Sequence, residues 1–298
     1  VIVSLAPSFV SEFPEYTAES MVAALKHLGF WAVSETAVGA DIVSKQIAQD
    51  LSDPKNNNKK LFLSSACPVT VEYIKKFFPE YAEYITDRAS PLMAHSRYLK
   101  KIYGEDIGIV FIGPCIAKKR EADVWKEIDV ALTFEDLRKW LTEHPSLATN
   151  GNVIPAGVDT SFVPKRAAKG ALYPVDGGMI AAIKKYNRLS EIRTMAIAGI
   201  DEVSVALQGL DVEKLQEPLF IELLACAGGC INGPGTQKGN SSVMKRVQLL
   251  DYAATASDVN KYESFDDLYG TLPVIGIKKT VHSPEEIRNA LRSVGKYT

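Results

Sequence analysis

Short apolar runs, several of them β-branched, alternate along the chain with longer stretches whose apolar positions recur every three to four residues. The runs predict strands over 1–5, 61–63, 107–112, 195–200 and 219–224. Helical spacing predicts a helix over 19–28, with Met21, Ala24, Leu25 and Leu28 on one face, and another over 71–78, stopped by Pro79. A third over 134–141 opens after a Thr133 cap. A last begins at Ser283-Pro284-Glu285-Glu286, whose types suit a helix start, and turns Ile287, Leu291 and Val294 inward. Strands alternating with helices imply an α/β fold with mainly parallel sheets flanked by helices. The polar run 53–60 reads as a solvated turn before a strand, and no internal repeat or low-complexity segment interrupts the pattern.

Composition narrows the class. The chain has 298 residues, 46% hydrophobic and 23% charged, with 34 basic against 36 acidic side chains and a net charge of −2. That balance excludes disorder, a polybasic nucleic-acid binder and a membrane-surface protein. At this length roughly three quarters of the unfolded surface is buried on folding, so no disulfide staples are needed. No apolar run reaches the roughly 18 residues of a membrane span, and the first residues lack the features of a secretion signal. A start at Val1 rather than Met points to a piece of a longer protein. The expected location is a reducing cytoplasm, with thiols available to metals.

The chemistry gathers at four cysteines. They stand in Ser64-Ser65-Ala66-Cys67-Pro68, in Gly113-Pro114-Cys115-Ile116-Ala117-Lys118 and, as a pair, in Leu224-Ala225-Cys226-Ala227-Gly228-Gly229-Cys230-Ile231-Asn232-Gly233-Pro234-Gly235. Cys67, Cys115 and Cys226 each follow a predicted strand by two to four residues, where ligand sites of open α/β sheets gather, so three strands would deliver thiolates to one crevice. Ala6-Pro7-Ser8, after the first strand, would line the same mouth. Any one of these cysteines, alone, reads as a small buried hydrophobe. Structural zinc usually takes two short Cys-x2–4-Cys knuckles, and only Cys226/Cys230 resembles one half. Four thiolates from distant loops suit a single [4Fe-4S] cluster. Under that reading Gly228, Gly229, Gly233 and Gly235 let the backbone approach the cluster and lend amides to its sulfides.

These three segments resemble the three signature motifs of [FeFe]-hydrogenase catalytic domains, which read Thr-Ser-Cys-Cys-Pro-x-Trp, Met-Pro-Cys-x-x-Lys and Met-Ala-Cys-x-Gly-Gly-Cys-x-x-Gly-Gly-Gly. The likeness reaches more weakly through Ala6-Pro7, Ser90-Pro91 and Asp176-Gly177-Gly178-Met179, and fades after about residue 239. It implies that the whole of 1–298 belongs to one such domain, of two intertwined lobes with a metal cluster between them. It also implies an H-cluster: a [4Fe-4S] cubane on Cys67, Cys115, Cys226 and Cys230, with Cys230 shared with a two-iron centre carrying CO, cyanide and a bridging dithiolate when matured. Lys118 would then bond a cyanide ligand, and Glu121 would match a glutamate of the proton path. Ala6, Pro7, Ser90, Gly113, Pro114, Leu224 and Gly229 would surround the cofactor. Without the resemblance, Lys118-Lys119-Arg120-Glu121 reads as a solvated charged helix start.

Departures from the family pattern matter as much. Ala66 stands where catalytic members carry the cysteine that passes protons to the dithiolate amine, which implies slow turnover. Gln46 aligns with a glutamate further along that path. Leu92, Gly113, Leu224 and Thr70 replace Gln, Met, Met and Trp. This set resembles the sensory [FeFe]-hydrogenases. It implies H2 and protons as substrates, electron-transfer clusters or a ferredoxin as electron partners, maturation proteins, and a signalling domain elsewhere in the full-length chain. The competing resemblance is to cytosolic iron–sulfur assembly factors and nuclear prelamin-binding homologues, which carry only cubanes. A cubane kept purely for structure is a third reading. His27, His95, His144 and His282 lack metal-like spacing and read as surface or core. Met93 and Met179 read as core filling, and the aromatic group over 73–84 as a packed helix face rather than a stacking platform for nucleic acid.

Overall fold

The computed structural model describes residues 1–56, 58–144, 157–186, 192–239 and 241–255, and further on Ser283, Glu285, Arg288, Asn289 and Arg292. Two parallel sheets form its frame. The first has the order β2-β1-β4-β5, from β1 (Ile2–Leu5), β2 (Ala32–Glu35), β4 (Ile109–Gly113) and β5 (Val130–Thr133). The second has the order β3-β7-β6, from β3 (Leu61–Leu63), β6 (Arg193–Ala198) and β7 (Leu219–Leu224). Parallel strands covered on both faces read as unbroken apolar runs. Accordingly every residue of the inner strands β1 and β7 is buried, and all of the inner strand β4 but Val110.

Among the described residues up to Thr255 the α-helices are α1 (Phe9–Glu12), α2 (Ala18–His27), α3 (Ala37–Ser52), α4 (Pro68–Phe77), α5 (Pro91–Tyr103), α6 (Ala117–Val124), α7 (Phe134–Glu143), α8 (Gly178–Tyr186), α9 (Ile200–Leu207) and α10 (Ser242–Ala254). One apolar core runs through both sheets, joining Val3, Val33 and Phe111 of the first to Phe62 and Phe220 of the second. A smaller one, with Leu61, Ile74, Leu207 and Leu223, lies on the second sheet; Tyr73, Phe78, Tyr81 and Tyr84 pack with it from the end of α4 and a 3-10 turn over Pro79–Tyr84 rather than from one helix face, and Phe77 is exposed.

The predicted strands 61–63 and 219–224 are found unchanged. The others shift at their ends: β4 runs to Gly113, and β6 starts and ends two residues earlier than its apolar run. Helix α4 begins at Pro68, directly after Cys67, because proline's fixed φ and missing N–H suit a first helical position. Thr133 caps α7 through a reciprocal box with Asp136. In the polar run, Pro54–Asn56 forms a 3-10 turn. Glu285, Arg288, Asn289 and Arg292 are helical and exposed, whereas Ile287, Leu291 and Val294 lie outside the described residues.

Strands β2 and β5 and helices α3 and α5 were not signalled by apolar periodicity. Helix α3 buries Asp41, Ser44 and Gln46 alongside its apolar residues, so its sequence lacks a one-sided stripe. It packs closely on α5: a Cβ built on Gly39 would sit 2.1 Å from the Pro91 carbonyl and 2.7 Å from His95 Cβ. We expect Gly39→Ala to force the two helices apart and destabilise the fold by about 1–3 kcal/mol. Chemical denaturation measures this, and an unchanged midpoint would contradict the close packing.

Candidate metal and cofactor site

The carboxyl ends of strands from both sheets open onto one cavity of about 110 Å³. Ala6, Pro7 and Ser8 reach it from β1, Thr36 from β2, and Pro114 and Cys115 from β4. Across the gap, Ala66 and Cys67 come from β3, and Leu224 and Cys230 from β7 and its following loop. Pro91 and Leu92 at the start of α5, and Tyr173 and Pro174, complete the wall. Thus Cys67, Cys115 and Cys230 line the cavity; Cys226 does not line it, yet stands close enough to feel the charges of Cys67 and Cys115.

Burial is the first obstacle to thiolate formation here, because a charged sulfur loses its hydration. It raises the thiols of Cys115, Cys226 and Cys230 above the ordinary range, Cys226 to about 11, and the neighbouring sulfurs add repulsion. Lys118 acts in the opposite direction on Cys115 and Cys230. Such thiols shed their protons when a cation takes the protons' place, which is how a soft metal centre binds. All four cysteines are free, and among the described residues no three His, Cys, Asp or Glu side chains are grouped tightly enough for a single metal ion. Four soft donors spread around a cavity suit a cluster better than one tetrahedral zinc. A second observation supports a bound group: Ser8 Oγ is buried beside the cavity with no hydrogen-bond partner among the described residues.

The charged start of α6 is not the solvated face that its sequence suggests. Lys118 and Glu121 are buried, and the Lys118 ammonium donates to Glu121 Oε2 at the cavity wall. Ser90 Oγ donates to the same oxygen at 3.2 Å, and Glu121 Oε1 has no partner. Only Lys119 and Arg120 face outward, toward Asp136 and Glu72. Of the other expected cofactor neighbours, Ser90 caps α5 by accepting from Met93 N, and Glu121 sits behind Lys118 rather than on the wall. Gly113 does not line the cavity either. A Cβ there would lie 2.4 Å from the Phe111 ring and 2.8 Å from Ala6, so the space that a methionine would need is filled by Phe111.

Three of the four glycines of the third motif dock loops against one another. Gly229 adopts φ +95°, and a Cβ on it would lie 2.2 Å from the Pro174 carbonyl; one on Gly233 would lie 2.6 Å from the Pro114 carbonyl. The amides of Gly229, Gly233 and Gly235 donate to the carbonyls of Cys226, Cys230 and Pro114. These residues therefore dock loops against one another, and their N–H groups are already engaged. Met93 and Met179 are core residues, His27 and His144 are exposed, and His282 lies outside the described residues. Thr36, Phe111, Tyr173 and Pro174 were missed as wall residues. For Thr36 and Tyr173 no local motif marks them, and only the packing of α3 and the 157–177 stretch brings them in.

Residues 1–234 match the family model described as the iron-only hydrogenase large subunit, C-terminal domain. The chain belongs to this family. Iron hydrogenase 1 of Clostridium pasteurianum is 23% identical over 86% of the chain and 53% of its own length. The NADP-reducing hydrogenase subunit HndD of Solidesulfovibrio fructosivorans is 28% identical over 79% of the chain and 48% of its own length. The chain thus spans about half the length of these two relatives. A cytosolic Fe-S cluster assembly factor of Danio rerio is also similar, 25% identical over 78% of the chain and 70% of its own length. In fold, the chain resembles an [FeFe]-hydrogenase solved during stepwise H-cluster assembly, with TM-score 0.67, 19% identity and 85% of both chains covered. It also resembles an [FeFe]-hydrogenase variant from Chlamydomonas reinhardtii, with TM-score 0.65, 21% identity and 85% of both chains covered. The family and the α/β fold are therefore those that the motifs imply.

Removing one member of a buried ion pair leaves the other charge unpaired, at a cost of about 3–5 kcal/mol. Lys118→Met should therefore destabilise the protein strongly, and Lys118→Met with Glu121→Gln should recover most of the loss. A double-mutant cycle by denaturation checks this, and a single variant as stable as the parent would contradict the pairing.

Proposed function

We propose that this chain is a hydrogenase-type iron–sulfur domain that binds an H-cluster and cleaves H2 slowly, reporting hydrogen or redox state. The placing of Cys67, Cys115 and Cys230 on one cavity, with Cys226 near enough to feel the charges of Cys67 and Cys115, supports this reading more than any other observation. In it, those cysteines hold a [4Fe-4S] cubane, and Cys230 is shared with a matured two-iron centre carrying CO, cyanide and a dithiolate. When bound, that centre supplies heterolytic cleavage of H2 between an iron and a nearby amine.

The chain's own residues determine how well that chemistry runs. Lys118 lines the cavity, where its ammonium would offer an anionic ligand a charge-assisted hydrogen bond. Pro7, Pro114, Leu92 and Leu224 exclude water. Ala66 lines the cavity but carries no proton, so the step that a cysteine would assist is unassisted at this position. Electron-transfer clusters or a ferredoxin would exchange electrons with the cubane, and separate maturation proteins would supply the two-iron centre, in a reducing cytoplasm. Among the described residues no helix is long and apolar enough to cross a membrane.

A cubane-only role, as in the assembly-factor relatives, is the second reading. The loss of a proton carrier at Ala66 and the presence of those relatives at comparable identity favour it. Infrared spectroscopy separates the two readings. Cubane-reconstituted protein given a synthetic two-iron precursor should develop CO and cyanide bands that shift under H2, and Ala66→Cys should raise its H2 turnover by about 10²-fold or more. A cubane signal without such bands would overturn the H-cluster reading.

A further inference from the structure

Behind the cavity wall lies a row of polar groups that the proposed chemistry does not use. Ser34 Oγ stands 2.8 Å from His95 Nε2, His95 Nδ1 stands 2.8 Å from Ser4 Oγ, and Ser4 Oγ stands 2.7 Å from Thr36 Oγ1. Ser34, His95 and Ser4 are fully buried, and Thr36 at the head of α3 is buried but lines the cavity. Ser4 and Ser34 are register partners on β1 and β2, and His95 reaches both from α5. Burial without a charged partner holds the imidazole down to about 3, so the ring is neutral and carries one N–H.

A neutral ring donates from one nitrogen and accepts at the other, so its tautomer orders the hydroxyls on either side. With the proton on Nδ1, Ser34 donates to Nε2, the ring donates to Ser4, and Ser4 donates to Thr36. The Thr36 O–H is then left over and is free to point into the cavity. With the proton on Nε2, the order reverses: Thr36 donates to Ser4, Ser4 donates to Nδ1, and the ring donates to Ser34. The Ser34 O–H is now stranded in the interior, where an unpaired donor costs about 1–3 kcal/mol. In an empty cavity each tautomer strands one hydroxyl hydrogen. An acceptor in the cavity satisfies Thr36 and breaks the tie.

We propose that Thr36 is a hydrogen-bond donor to an acceptor-bearing anionic group in the cavity, and that His95, acting through Ser4, is the positioning residue that fixes this polarity by its tautomer. Lys118 and Ser8, whose hydroxyl has no partner among the described residues, line the same cavity, which favours a small anion or an anionic metal ligand as the acceptor. The nature of that acceptor, a cyanide on the two-iron centre, rests on the proposed function; the relay itself does not.

Nitrogen NMR of the full chain labelled with 15N-histidine distinguishes an N–H nitrogen from a lone-pair nitrogen, with the His95 signals assigned by their loss in His95→Gln. In cubane-reconstituted protein His95 should populate both tautomers. After the two-iron precursor is added, with loading verified by the CO and cyanide bands, it should shift to the Nδ1–H form alone. In Thr36→Val, whose shape is nearly unchanged, loading should leave the tautomer ratio where it was. A loaded protein whose His95 stays mixed, or takes the Nε2–H form, overturns the relay. If no bands appear, the two-iron reading fails instead, and the relay is tested with sodium azide as the anion. A shift of His95 to Nδ1–H that Thr36→Val abolishes sustains it, and no response to azide overturns it.

Discussion

The site depends on a buried carboxylate that binds no metal. Asp41, fully buried on α3, accepts the amides of Ala168 at 2.6 Å and Gly170 at 2.7 Å. Those bonds fasten the 167–175 stretch onto the helix that follows β2, and so onto the first sheet. The same stretch presents the Pro174 carbonyl to Ile231 N, at 3.2 Å, on the loop that carries Cys226 and Cys230 from the second sheet. On the other side, Gly235 N bonds the Pro114 carbonyl at 2.8 Å, beside Cys115. Two sheets that share no strand are thereby held with their carboxyl ends facing one space, and the four sulfurs follow.

The cavity so formed is lined almost wholly by apolar surface, with a few polar residues among its walls. Lys118 brings a cation backed by Glu121 and Ser90, and Ser8 and Thr36 bring hydroxyls. Low local dielectric strengthens each contact that these groups make and penalises each one left unmade. The polar or sulfur-bearing side chains that the family pattern places elsewhere around this space are replaced by Ala66, Leu92 and Leu224, and Phe111 fills the volume beside Gly113. Lys118 on the wall suits an anionic ligand, and Ala66 offers no proton carrier there.

Much of this was legible in the sequence, for physical reasons that vary by element. Leu61–Leu63 and Leu219–Leu224 announce themselves because both faces of a parallel sheet are apolar. The cysteines were legible by position, since strand ends are where such sheets gather ligands. Strand β2 was hidden by Ser34 and Glu35, whose burial is offset by partners distant in the chain, His95 for the first, Arg166 and Tyr252 for the second. Helix α3 was hidden in the same way by Asp41 and Ser44. The Lys118–Glu121 pair was misread as solvated because a local window cannot see that Cys115 draws the start of α6 into the wall. The loop docking by Gly229, Gly233 and Gly235 was not legible, because only the neighbouring Pro174 and Pro114 carbonyls reveal it.

The proposed function requires that four cysteines, from three strand ends and one loop, hold a single iron–sulfur cube. Anaerobic reconstitution with iron and sulfide, followed by metal analysis and electron paramagnetic resonance of the reduced protein, should give four irons per chain in one spin-½ cluster, lost when Cys230 is changed to serine. A single tightly bound zinc per chain, or iron retained unchanged after Cys230→Ser, would contradict that requirement.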